Sequence, residues 1–143
     1  DLSGLDVARK ALILARAIGF RGEREDAAVE SLVPEALAGV PLATFLERAH
    51  ELDDHWNRLT NGARRRKRVL RYRARVTPAG ISVGLVPVRM TDPLGALTGT
   101  DNQFSFTTDR YRAQPLIITG PGAGPAVTAG GIFNDLLRLQ RST

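Results

Sequence analysis

The sequence predicts an α+β fold, a mixed β-sheet packed against helices. Apolar residues recur at spacings of three and four in two stretches, 5–18 and 42–59. Between residues 70 and 85 the spacing falls to two, on both sides of a TPAG turn. The chain closes on PLIITGPGAGPAVTAGGIFNDLLRL, residues 115–139, a short apolar strand, a glycine turn and an amphipathic helix. Period 3.6 marks helices and period two marks strands.

The first helix is read from DLSGLDVARKALILARAIG. Leu5, Ala8, Leu12 and Ala15 recur at helical spacing, with Val7, Ala11, Leu14 and Ile18 beside them. Ser3 suits its start and Gly19 its end. The apolar stripe is wide, which predicts a well-buried helix. A short strand over Ala28 to Val33 is expected to stop at Pro34. A second helix is expected from Pro41 to about Ala63, with Leu42, Phe45, Leu46, Ala49, Leu52, Trp56 and Leu59 on one face. Leu70, Tyr72, Ala74 and Val76 then alternate with Arg71, Arg73 and Arg75, and Ile81, Val83 and Leu85 alternate back. That is a hairpin. DPLGALTGTDN reads as a loop or one helical turn, QFSFTTDRY and PLIIT as strands. The elements together suggest one α+β domain over 1–143.

Composition narrows the function classes. The chain has 143 residues, 43% of them hydrophobic, enough for a real core. It has no cysteine, so disulfides and thiolate metal sites are out, and two histidines, His50 and His55, are too few for a histidine-rich metal centre. We expect no metal ligands. No apolar run approaches the roughly 18 residues of a membrane helix. No secretion signal is visible and the chain begins at Asp1 without a methionine, which reads as a piece of a longer, soluble, cytoplasmic protein.

The net charge of +5 is a local matter. RRRKRVLRYRAR, residues 64–75, holds eight of the 20 basic residues and no acid, and the rest of the chain carries 12 basic against 15 acidic residues. One reading is an anion- or nucleic-acid-binding module without enzymatic activity. The plainer reading is a solvated helix end followed by the wet face of a strand. Tyr72 alone is interleaved with the arginines, where a stacking platform for single strands needs several aromatics.

Asp6 and Lys10 lie four apart on one helix face. The ordinary reading is a surface ion pair, worth about 0.3–0.5 kcal/mol. The sharper one uses the apolar girth of the helix: an amine in a partly dry site, beside a carboxylate, can give a proton to an oxygen and take it back. Asp1 adds a polar group near the helix start, and Ser3-Gly4 lets a small ligand approach. In GPGAG, Gly120 to Gly124, glycines allow a sharp turn and expose backbone amides at a helix N-terminus, which favours phosphate. Pro125 suits the first helical position. The acidic residue about 20 positions on that completes a dinucleotide fingerprint is missing.

DLSGLDVARKALILAR closely resembles the segment of homoserine dehydrogenases that carries their catalytic lysine. GPGAGPAVTAGGIFNDLL resembles the family's terminal glycine-rich helix, and LVPEAL, KRVLRY, DPLGALTGTDN and PLIITGPGAG fall between in the family's order. ELDDHWNRLTNGARRRKRVLRY looks more like the bifunctional aspartokinase–homoserine dehydrogenases than the short monofunctional type. The resemblance implies an enzyme that reduces L-aspartate 4-semialdehyde to L-homoserine with NADP or NAD as cofactor, on the route to threonine and methionine. It implies that Lys10 is the proton donor, that Asp6 and Asp1 bind substrate, and that Gly124 contacts the nicotinamide nucleotide. The implied partners are a small-molecule substrate and a second copy of the chain in a homodimer, with no nucleic acid and no membrane. Residues 115–143 would return the chain to a Rossmann domain that this sequence does not contain. Pro125, and a basic run at 64–68 heavier than the family leads one to expect, are the local departures.

Overall fold

A computed structural model describes residues 2–141. The chain forms two compact units, Asp1–Gly95 and Ala96–Thr143. Among the described residues the five strands fall in two sheets, one in each unit.

In the first unit, helix α1 (Leu5–Ala17) packs on a three-stranded sheet. Its strands are β1 (Ala28–Val29), β2 (Arg68–Thr77) and β3 (Gly80–Arg89), in the order β1-β3-β2. β1 runs parallel to β3 and β2 antiparallel to it, so this sheet is mixed, as expected. The hairpin pairs Thr77 with Gly80 at the turn and Arg68 with Arg89 at the open end. Alternation decides which face is covered: Tyr72, Ala74 and Val76 of β2, with Ile81 and Val83 of β3, pack with Ala8, Ala11, Leu12 and Ala15 of α1. Arg73, Arg75 and Ser82 point the other way and are exposed. Three alanines on the seating face bring the helix close to the sheet. α1 ends as the sequence suggests, with Gly19 at φ 96° and the Gly19 and Phe20 amides bonded to Arg16 and Ala15 carbonyls. Its start differs. The N-cap is Gly4, not Ser3, whose hydroxyl accepts from the Leu5 amide at a long 3.4 Å.

β1 is two residues long, where a strand over 28–33 was expected. The Glu30 amide still bonds the Val83 carbonyl at 2.8 Å, but the chain then leaves the sheet. Ser31 Oγ takes the Val33 amide, and the Leu32 amide bonds the Leu2 carbonyl at 2.9 Å. The Glu30 carboxylate accepts from the Leu85 amide at 3.0 Å, where the next carbonyl of a longer strand would stand.

The expected helix from Pro41 to Ala63 is broken into α2 (Leu42–Arg48), a 3₁₀ stretch (Ala49–Leu52) and α3 (Asp53–Arg65). Arg48 and Glu51 form a bidentate ion pair across three residues, a spacing that the tighter helix eclipses. Phe45, Ala49, Leu52 and Trp56 line an apolar groove with Leu2 and Leu32. α3 closes with Lys67 at φ 56° and its amide on the Arg64 carbonyl. Past β3, residues 90–95 turn without a helix, and the Arg71 guanidinium bonds the Leu94 and Gly95 carbonyls at 3.0 and 2.7 Å.

The second unit is a hairpin and a helix. β4 (Asp101–Phe106) pairs antiparallel with β5 (Leu116–Pro121). β4 stops short of the expected QFSFTTDRY, because Thr108 and Asp109 fold into a local turn that holds the Tyr111 amide and Arg112. Helix α4 (Pro125–Arg141) begins at the proline, as the sequence suggests. None of the unit's described residues is buried.

Candidate active site

α1 brings Asp6 and Lys10 together. Lys10 Nζ lies 2.7 Å from Asp6 Oδ2. The hydrogen bond from Lys10 holds the Asp6 carboxyl below the usual carboxylate range; desolvation opposes it, and the charges of Lys10 and Arg9 add to it. The partly dry site expected for Lys10 is not what this chain provides: the two side chains are 74% and 50% exposed. Helix geometry gives the reason. At 100° per residue, Asp6 and Lys10 lie across the helix from Ala8, Ala11 and Ala15. The stripe looked wide because α1 carries two apolar faces. One is buried on the sheet. The other has Ile13 69% and Leu14 41% exposed, with Ala17 also exposed beside Lys10.

The start of α1 is held firmly. Gly4 is buried, at φ 79°, and a Cβ there would overlap the Tyr72 hydroxyl and crowd Val29. Tyr72 Oη donates to the Glu30 carbonyl. Burial first, then the Glu30 charge, raises the Tyr72 phenol above its ordinary pKa. Glu30 in turn lies over Gly84, where a Cβ would collide with its carboxylate. Neither Tyr72 nor Glu30 stood out in the sequence: Tyr72 read as one apolar position of a strand, and Glu30 lay in an unclear segment.

Asp1 lies outside the described residues. Gly124 belongs to the second unit. It sits just before α4, accepts the Thr128 amide at 3.0 Å, and has φ 141°. Part of the glycine motif is strand, since Gly120 and Pro121 pair with Asn102 and Asp101. Gly122 is pressed against the Asn102 side chain, whereas a Cβ on Gly124 would meet nothing within 4 Å. Open backbone at a helix start fits the edge of a nucleotide.

The basic stretch does not form one continuous surface. Arg68 and Arg71 are spent on the carbonyls of Pro87, Leu94 and Gly95. Arg73 and Arg75 line a shallow groove on the open sheet face with Glu30 and Ser82. Arg64 and Arg65 fill the last turn of α3. Among the described residues no group of three or more His, Cys, Asp or Glu gathers as for a metal ion, and no helix is long and apolar enough to cross a membrane.

The described residues thus form an α+β chain with a lysine–carboxylate pair on a sheet-packed helix and a terminal helix that follows a glycine turn. The family model for homoserine dehydrogenase matches residues 1–137, and the chain belongs to that family. It is 47% identical over 142 residues to a bifunctional aspartokinase/homoserine dehydrogenase of Zea mays, covering 97% of this chain and 16% of that protein. It is 42% identical over 143 residues to a homoserine dehydrogenase of Paracoccidioides brasiliensis, covering 97% of this chain and 38% of that one. Among solved structures, a putative homoserine dehydrogenase from Archaeoglobus fulgidus superimposes with a TM-score of 0.68 at 27% identity, over 97% of this chain and 36% of that chain. The chain thus spans well under half the length of these relatives.

Proposed function

We propose that this chain is the substrate-binding and catalytic region of an enzyme that reduces L-aspartate 4-semialdehyde to L-homoserine, in the biosynthesis of threonine and methionine. The nicotinamide cofactor, NADPH or NADH, supplies hydride to the aldehyde carbon when bound. Lys10 holds a proton at Nζ and delivers it to the aldehyde oxygen as that carbon is reduced. Asp6 keeps the amine aimed, and with Asp1 it receives the substrate ammonium. Gly124 lets the nucleotide edge approach the α4 backbone. The observation that carries this reading is the Asp6–Lys10 pair at 2.7 Å on a helix face that also exposes Ile13 and Leu14. An ion pair set among bare apolar side chains suits a cleft that something else closes.

We assign that closure to the nucleotide-binding domain. On this reading 1–143 is the catalytic and dimerisation domain, and 115–143 is the segment that returns to the nucleotide-binding domain. Exposed Ile132, Phe133, Leu136 and Leu139 on α4 support it. In the enzyme carrying both domains, Lys10→Ala should lower kcat by roughly 10²-fold or more, as for loss of a positioned acid. Near-normal turnover at saturating substrate would end the proposal. The isolated chain should be inactive, and tight NADPH binding by titration calorimetry would contradict the split site. A homodimer is part of the same reading. β2 is an outer strand of its sheet, where a symmetry mate could pair; light scattering that gives a clean monomer would count against it. A cytoplasmic location also belongs to the proposal, while the maize relative's name places that protein in the chloroplast.

A further inference from the structure

We infer that Tyr72 is a positioning residue for the Asp6–Lys10 pair: its hydroxyl, locked to the Glu30 carbonyl and braced under Gly4, sets where α1 begins and so where Lys10 stands. The inference rests on the reading of Lys10 as proton donor.

The reason lies in how α1 is seated. Its contact with the sheet is made by Ala8, Ala11 and Ala15, at 0%, 2% and 0% exposure, with Leu12 the one large side chain among the helix's buried residues. Alanines allow close approach, but they interdigitate little, so a helix on such a seat can slide or roll at small cost. Something at its end has to fix it. Two devices do so. The Leu32 amide bonds the Leu2 carbonyl just before the helix. Tyr72 rises from β2, reaches the N-cap residue and donates to Glu30 across 42 residues of chain. The Gly4 carbonyl takes the first helical bond, from Ala8 at 2.9 Å. Asp6 follows two residues later and Lys10 one turn beyond. A shift at Gly4 is therefore carried along the helix to Lys10 Nζ, and displacements of about 1 Å are costly to proton transfer.

The test is a double-mutant cycle in the enzyme that carries this chain with its nucleotide-binding domain. Tyr72→Phe removes only the hydroxyl. It should lower kcat about 10-fold with KM changed less than about 2-fold. In a Lys10→Ala background it should have no further effect, because its influence passes through the lysine. Gly4→Ala presses on the same contact from the helix side, and should show the same loss and the same silence. The thermal midpoint of each variant separates misfolding from mispositioning. If Tyr72→Phe leaves kcat unchanged, or its loss multiplies with that of Lys10→Ala, the positioning role is wrong and the lysine reading stands. If Lys10→Ala itself turns over normally, the lysine reading fails and the positioning role falls with it.

Discussion

Both units of the chain are built from a β-hairpin and an amphipathic helix, yet only one of them has an interior. In the first, Ile81 and Val83 are 4% and 3% exposed beneath the alanines of α1. In the second, Val127, Ile132, Phe133, Leu136 and Leu139 of α4 are between 48% and 69% exposed, and Phe104 and Ile118 of the hairpin are 47% and 53% exposed. The helix faces differ in kind. Small side chains let α1 come down onto a three-stranded sheet, whereas α4 carries large ones and its own unit offers two strands. A two-stranded hairpin is marginal without a surface to pack on. Amphipathicity states that a helix has a partner; it does not say the partner is in the same stretch of chain.

Hydrogen exchange on the isolated chain gives the largest expected contrast. Amides of Ser82 and Val83, which the sheet bonds on either side of β3, should exchange about 10³-fold or more slowly than unprotected ones, and those of α4 within about 10-fold of unprotected. Equal protection in both units would break the comparison. Next comes truncation. Ile81→Ala should destabilise by about 2–4 kcal/mol in urea titration, from lost burial and a cavity. Ile132→Ala should change the same curve by under about 0.5 kcal/mol; a large effect there would mean α4 is seated after all. Smaller is Lys67→Gly, which should raise stability by about 0.5–1 kcal/mol by relieving a left-handed lysine, read as a higher denaturation midpoint.

pH gives a finer contrast within the first unit. The Tyr72 phenol has its pKa raised in the folded state above the ordinary 10.0, so its contribution is complete below that value and lost as pH rises through the folded value. Tyr72→Phe should flatten the alkaline limb of a stability-against-pH curve, and an unchanged limb would remove the phenol as its source. Asp6 has the opposite sign: its pKa is lowered from 3.8, so whatever it adds is present above that and lost on acidification. Because the pair is exposed and screened, Asp6→Asn should leave the melting temperature within error.

The long periodic elements were legible. The 68–89 hairpin, α1, and a terminal helix starting at Pro125 follow from alternation, helical spacing and end signals. What was not legible depended on contacts remote in sequence. β1 is short because Leu32 pairs with Leu2, and no local pattern announces that. The break after Arg48 falls inside a continuous apolar stripe, and the Arg48–Glu51 pair that spans it leaves no mark in that stripe. At the site, the Asp6–Lys10 spacing was readable, but its exposure was not, since an apolar count cannot tell one wide face from two narrow ones. The Tyr72–Glu30 contact spans strands that only the fold brings together.

The rim of β3 beyond β1 has one more consequence. A bare row of amides and carbonyls there would invite any extended peptide to dock and stack. Here the Leu85 amide already holds the Glu30 carboxylate, Pro87 has no hydrogen to offer, and its carbonyl is taken by Arg68. A negative charge, a ring and a guanidinium make that side a poor template for fibril growth. Glu30→Gln should therefore shorten the lag before fibrils form, read by dye fluorescence.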